Sequence, residues 1–440
     1  MLEKSNRLLY IKKRSAQEIF VFAIFFFPFI MAFLLEFLKL PSFVKYIADA
    51  MYVGGVLLAV SGRSAYIRKK HAPFVLFTVA LFIFTFIVYL FNFQSPLYYL
   101  WGVRNTFRFY AAFVLFAVAF DCDDVSGCLK FMDIVFWLNA VLSFFQFFVL
   151  GYRQDYLGGV FGVDRGCNSY TIIFFAVVLT KSLLNFMNKQ EKVWVCLLKT
   201  GVALVISAMA ELKFFFLLFV IIFLICTVMT KFSFRKAVVI VGVAIILMFS
   251  GSLLSMIFGE SRALTLENIF NLITASNYAT AKDLGRFTAI PTIARDFLTS
   301  PLKFLFGLGL GNCDTSSFEF FNSEFYRSHS YLNYNWFSSA FVFLETGIIG
   351  LTSYLAFFVM CFVLARRQIK KGANELFCRI GMVMSAVCFI LVFYNSSLRT
   401  EVAYLAFFSL ALPFVSSVEK SEEAGNNADI NNILNKEETI

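Results

Sequence analysis

Charge is what this sequence has least of: 15% of its 440 residues are Asp, Glu, Lys or Arg, against 60% hydrophobic residues and a mean hydropathy of +0.77. Such a chain cannot cover its apolar surface with polar groups, which excludes a soluble domain and predicts a polytopic membrane protein. The formal charge of +10 sits mostly in short segments between apolar runs, where it reads as a topology signal and not as a nucleic-acid surface. Histidine is scarcer still, with two in the chain, His71 and His329. His329 has no His, Cys or carboxylate at ligand spacing and is no metal site. The nine cysteines form no CxxC pair, and most lie in apolar runs where thiols act as small hydrophobes. Cys167 and Cys313 both fall outside on the topology below, which leaves a disulfide between them open. No small-residue cleavage site follows the first apolar run, which excludes a signal peptide. No internal repeat is visible and most charges lie at the ends of apolar runs, which speaks against a transporter.

What is present is a series of apolar runs, over 16–35, 43–61, 74–91, 103–120, 131–150, from 169, and over 193–209, 214–230, 237–257, 347–364, 377–394 and 402–418. Most are close to the roughly 20 residues a helix needs to cross a bilayer. The segments at 12–14, 68–70, 231–236 and 365–371 are dense in Lys and Arg, and the positive-inside rule places them and both termini in the cytoplasm. The expected fold is therefore all-α, a polytopic membrane helical bundle of about 12 transmembrane helices. Its parts are a cytoplasmic N-terminus (1–15), spans one to nine (16–257), a large external loop (258–330), a re-entry segment with spans ten to twelve (331–418) and a polar tail (419–440). His71, among Arg68, Lys69 and Lys70, reads as a solvated surface histidine.

The loop over 258–330 is the one long polar interval between the first span and the tail, and it reads as the active-site loop. Arg286 follows Gly285 with no charge beside it, whereas Arg295 adjoins Asp296 and reads as a structural ion pair. On an unbroken helix the two would point about 180° apart, so only one addresses a ligand. Arg286 is preferred, because a planar guanidinium can hold diphosphate oxygens bidentately. The glycines at 307, 309 and 311 lack the strand and helix of a dinucleotide fingerprint; they suit either a close-packed turn or a phosphate cradle. His329 suits either a general base for a sugar hydroxyl or a histidine hydrogen-bonded at the loop base. Arg104 and Arg108, four apart at the outer end of the fourth span, share a face about 40° wide and either anchor at the interface or contact phosphate. Glu211 and Lys213 occupy a tight outer turn and should face protein or water. Glu345 stands at the outer start of the tenth span, where a carboxylate favours the positive end of the helix dipole.

The layout resembles the O-antigen polymerase and ligase superfamily of bacterial envelope polysaccharide assembly. The residues that carry the resemblance are GGVFGVDRGCNSY (158–170), similar to that family's Gly-x-Phe followed by an Asn, here Asn168; GRFTAIP (285–291) with PLKFLFGLGLGN (301–312); and HSYLNYNWFSSAFVFLETGIIGL (329–351), similar to its His followed by Glu-x-Gly-x-x-Gly. The resemblance implies the fold of all-helical membrane glycosyltransferases with polyprenyl-linked donors. It places His329 at the family's loop base and Arg286 at its diphosphate-binding arginine. A second family arginine falls at Lys213, a departure that keeps the charge and loses the bidentate fork. The implied reaction transfers a polyprenyl-diphosphate-linked glycan to a sugar hydroxyl of another lipid-linked repeat unit, on the periplasmic face of the inner membrane. No metal, nucleotide sugar or other cofactor is implied, with Arg286, Lys213 and Arg165 neutralising the leaving group and Arg104 and Arg108 as further contacts. Implied partners are the polyprenyl-diphosphate-linked oligosaccharide repeat units, and a chain-length regulator and flippase of the same pathway. A ligase that moves finished glycan to lipid A core shares the donor chemistry, and Lys213 in place of the ligases' arginine favours a polymerase. A lipid-linked-oligosaccharide flippase is the alternative from another class.

Overall fold

The computed structural model describes residues 16–60, 68–230, 234–258, 282–316 and 318–415. The ends at 1–15 and 419–440 and the first part of the large loop lie outside the described residues. Fifteen α-helices follow one another, with no strand among the described residues: α1 (Ala16–Ala32), α2 (Ile47–Val60), α3 (Ala72–Phe91), α4 (Pro96–Ala119), α5 (Cys122–Phe148), α6 (Asn168–Met187), α7 (Val193–Met209), α8 (Lys213–Val228), α9 (Phe234–Phe258), α10 (Ala289–Asp296), α11 (Pro301–Phe306), α12 (Glu324–His329), α13 (Ser338–Lys370), α14 (Glu375–Tyr394) and α15 (Ala403–Ala411). Each expected span falls on one of α1–α9 or α13–α15. Six helices are long and apolar enough to cross a membrane by length and composition: α1 with its π-helical extension to Phe37, then α3, α5, α6, α13 and α14. The chain is thus a membrane-embedded helical protein. Helices α2, α7, α8 and α15 are apolar but shorter.

Local sequence sets the joints. The run Asp121–Asp124 ends α4 and starts α5, because Asp121 accepts from the amides of Asp123 and Asp124 while Asp124 accepts from the Asp121 amide, a reciprocal cap. Gly347 (φ 65°) breaks α13 into two helices that continue one another. The break coincides with the expected start of the tenth span, and the segment before it is helical from Ser338. Pro291 stands in the first turn of α10, where its missing amide donor is harmless, so Arg286 precedes the helix and does not ride on it.

Packing is aromatic and graded. Helix α15 is buried along its whole length and α6 along most of it, while α3 keeps Leu76, Phe86, Leu90 and Phe91 exposed for lipid. Phe74, Phe113, Phe357 and Phe414 meet ring to ring where α3, α4, α13 and the end of α15 converge. Charges inside the bundle are paired, as a low-dielectric setting requires. Asp133 accepts from Lys181 and from Lys199, the latter at 2.9 Å, and Lys199 also reaches Glu191 at 3.2 Å.

His71 corrects the expectation of a solvated histidine: it is 2% exposed. Its Nδ1 lies 3.3 Å from the Arg68 amide and its Nε2 lies 2.9 Å from the Phe414 carbonyl, so Nε2 carries the proton and closes the end of the last helical turn. Burial lowers its pKa to about 4. Lys70 adds a bond to the Val415 carbonyl at 2.9 Å.

The described part of the large loop folds back onto the bundle. The amides of Leu308 and Gly309 donate to the Leu344 and Glu345 carbonyls, each at 2.9 Å. A Cβ on Gly311 (φ +85°) would meet the Tyr98 carbonyl oxygen at 1.9 Å. This decides between the two uses of the glycine run: its amides bond to α13 and its backbone packs on α4, a close-packed turn and not a phosphate cradle.

Candidate functional site

Two cavities open at the end of the bundle that carries the large loop. The larger, 710 Å³, brings together four residues singled out in the sequence: Arg165, Asn168, Lys213 and Arg286. Arg286 is held by its surroundings: it is 8% exposed, its Nε donates to the Tyr394 carbonyl at 3.3 Å, and its guanidinium stacks on the Tyr394 ring at 4.5 Å. Lys213 opens α8 after Glu211, whose left-handed backbone (φ 54°) makes the tight turn, and the two side chains pair at 3.6 Å. Both line the cavity, as the cost of facing lipid demands. Arg165 is exposed and lies over Trp336 at 5.8 Å. Asn168 is a clamp, donating to Asp155 and to the Ala210 carbonyl, each at 3.2 Å, and so joining the glycine-rich loop to the Lys213 turn.

That loop is seated by backbone satisfaction. Glu36, on the π-helical end of α1, accepts from the Val163 amide at 2.9 Å. Gln146 pairs with both backbone groups of Gly159, and Asn139 accepts from the Val160 amide at 2.9 Å. Side chains on Gly159 or Gly162 would meet Asn139 or Glu36 at 2.2 and 2.1 Å, so these glycines permit the approach of α5 and α1.

The second cavity, 510 Å³, is lined by α3, α4, α13 and the turn between α14 and α15, with Arg104, Asp314, Glu345, Arg399 and Glu401 in its wall. Arg104 donates to Asp49 at 2.8 Å and lies against both the Tyr46 and Trp101 rings, so it is neither a lipid anchor nor an open anion site. Asp314 accepts from Asn105 and from the Thr315 amide at 2.8 Å. Burial raises the Asp314 carboxyl against the pull of Arg399, and lowers Arg399 against the pull of Asp314 and Glu345. Glu345 is 1% exposed and accepts from the Cys313 amide at 3.0 Å. It stands two residues before the Gly347 break, at the start of the second half of α13, and there its carboxylate fastens the glycine turn.

The remaining expected residues stand apart. Arg108 is 3% exposed and lines neither cavity; it backs Glu401 at 3.6 Å. Arg295 is exposed and pairs with Asp296 at 2.6 Å, as read from sequence. His329 also lines neither cavity. It closes α12 with Nδ1 3.2 Å from the Phe325 carbonyl and its ring stacked on Phe325 at 4.5 Å, the hydrogen-bonded arrangement at the loop base. A bond from the Leu284 amide to the Leu332 carbonyl at 3.0 Å ties the Arg286 turn to the segment after His329. Cys167 and Cys313 are free and buried.

Sequence reading missed Asp314, Arg399 and Glu401. Arg399 had a usable signal, a cation in the short turn SSLRTE, which is expected outside, where the positive-inside pattern predicts none. Among the described residues no cluster of three or more His, Cys, Asp or Glu side chains is arranged to hold a metal ion. Comparison with known families finds no matching family model, and comparison with curated proteins finds no match.

Proposed function

We propose that this protein is a polysaccharide polymerase of twelve spans in the bacterial inner membrane, acting at its periplasmic face on polyprenyl-diphosphate-linked repeat units. The observation that carries the reading is convergence. Arg165, Lys213 and Arg286, from three separate stretches, line one cavity beside Asn168, and the resemblance implies all three as partners of the leaving group. A diphosphate offers oxygens for a bidentate guanidinium and for a point-charge ammonium. Fixed cations there stabilise the leaving group as its charge develops. Three of the four carboxylates of the same wall are engaged, Glu36 by an amide, Asp155 by Asn168 and Glu211 by Lys213, and the fourth, Asp164, is exposed at its edge.

The acceptor hydroxyl adds to the anomeric carbon and polyprenyl diphosphate departs. The resemblance assigns the hydroxyl proton to His329; His329→Ala tests that assignment in the same experiment as Arg286. In a host that attaches its glycan to lipid A core, Arg286→Ala should leave lipopolysaccharide with a single repeat, one band above bare core on a gel. Bare core alone, with long glycan retained on the carrier, would make the protein a ligase, and a full ladder at normal abundance would end the glycosyltransferase reading.

A further inference from the structure

We propose that the 510 Å³ cavity receives the acceptor sugar and that Glu401 takes the proton of its attacking hydroxyl, an inference that rests on the glycosyltransferase reading above. Glu401 stands at the border of the two cavities. It lines the smaller one, its Oε2 accepts from the Tyr170 hydroxyl at 3.1 Å, and Tyr170 lines the larger. Its neighbour Thr400 lines both. No other carboxylate in the smaller cavity's wall is bonded to a residue of the larger: Asp314 serves Asn105 and Thr315, and Glu345 serves Cys313, all on the acceptor side or behind it.

The smaller cavity has the wrong walls for a diphosphate and suitable ones for a neutral polyol. Glu401 would repel an anion, Arg104 is already clamped by Asp49, and the remaining cation of the wall, Arg399, is shared with Asp314 and Glu345. A sugar ring brings hydroxyls that both donate and accept, and the wall offers both. Tyr110, 1% exposed, lines the cavity with a hydroxyl that has no hydrogen-bond partner among the described residues, and Nη1 of Arg399 is in the same state. Buried polar atoms of this kind are rare in folded proteins, and a bound ligand is one way they are satisfied.

The step balances without a further reactant. The acceptor oxygen forms a bond to the anomeric carbon of the donor. The bond from that carbon to the diphosphate oxygen breaks, and its electron pair leaves on the diphosphate held by Arg286 and Lys213. The hydroxyl proton passes to the Glu401 carboxylate and then to water. Arg108, 3.6 Å from Oε1 of Glu401, positions the carboxylate from behind.

The test uses the full chain in lipid nanodiscs and single-repeat polyprenyl carrier extracted from a strain lacking it. Extension of the carrier and binding of polyprenyl diphosphate are measured side by side. Glu401→Gln should lose extension by about 10²–10⁴-fold, the range of a general base, with polyprenyl diphosphate bound as by the wild type. Glu401→Asp, which draws the carboxylate back by one methylene, should keep part of the rate. Ser316→Trp, at the cavity wall, should block extension and spare diphosphate binding, and it covers the case in which Glu401→Gln fails to fold. Wild-type extension by Glu401→Gln would overturn Glu401 as the base, and wild-type extension by Ser316→Trp would overturn the acceptor cavity. Failure of the wild-type protein to extend the carrier would instead overturn the glycosyltransferase reading itself.

Discussion

The two cavities contain charges of both signs and settle them differently. In the larger, Arg286 is oriented by a carbonyl and an aromatic face, and Lys213 meets a carboxylate only at 3.6 Å. In the smaller, Arg104 is locked to Asp49, Asp314 to Asn105 and Glu345 to a loop amide. Arg286 lines its cavity from a carbonyl and an aromatic ring, whereas Arg104 is clamped by a carboxylate and holds the fold together. Position at the loop-bearing end of the bundle does not separate these two cases, since Arg104 and Arg286 both sit there.

Arg399 is where that contrast can be broken with the largest effect. Removing it leaves Asp314 and Glu345 buried without their nearby cation, a change that typically costs about 3–5 kcal/mol. Arg399→Ala should therefore fall in abundance and thermal midpoint before activity can be scored. Arg286→Ala should do the reverse, losing extension by roughly 100-fold or more, the scale of a lost electrostatic donor to a leaving group, at near-normal abundance. Arg286→Lys should keep part of the activity, because it retains charge without the fork. Arg295→Ala, on an exposed pair, should leave both readouts unchanged.

Lys213 sharpens the comparison from the other side. Lys213→Arg restores a bidentate group where the sequence departs from the family pattern, and extension should stay at or above the wild-type rate. Lys213→Ala should lose about tenfold, one point charge at a partly open site. Equal losses for both variants would show that Lys213 serves the Glu211 turn and not the cavity.

Much of this fold was legible in the sequence, because apolar length and cation placement act locally. The twelve runs fall on helices, the Arg295–Asp296 pair needs only adjacency, and the close-packed glycine turn needs only permissive residues. The pairing of distant charges was not legible. Asn105 meets Asp314 across 209 positions, and Tyr170 meets Glu401 across 231. No spacing rule reaches that far. Glu345 was read from the end of a span, but its partner is an amide in a loop that packs beside it. His71 failed for the same reason: its cationic neighbours suggested solvent, and the carbonyl that buries it lies 343 residues away.

His71 gives an expected effect away from both cavities, with a defined sign. Its native pKa of about 4 lies below the ordinary 6.5, so the unfolded chain binds the proton first as pH falls. Stability should be unaffected above about pH 7 and should decline as pH drops toward 4, by about 2 kcal/mol between pH 7 and pH 5. Thermal midpoints of wild type and His71→Asn over that range measure it, and the slope should be shallower in the variant. Parallel slopes would contradict the buried neutral imidazole.

The central claim is that the larger cavity holds the diphosphate of a glycan donor. Its most direct test is the stoichiometry of one reaction: purified protein in nanodiscs, radiolabelled single-repeat carrier, and separate counts of extended carrier and of free polyprenyl diphosphate. The account predicts one polyprenyl diphosphate released for every repeat added, and neither product from Arg286→Ala. Carrier that crosses the bilayer unchanged, with no diphosphate released by the wild type, would contradict it and identify a flippase.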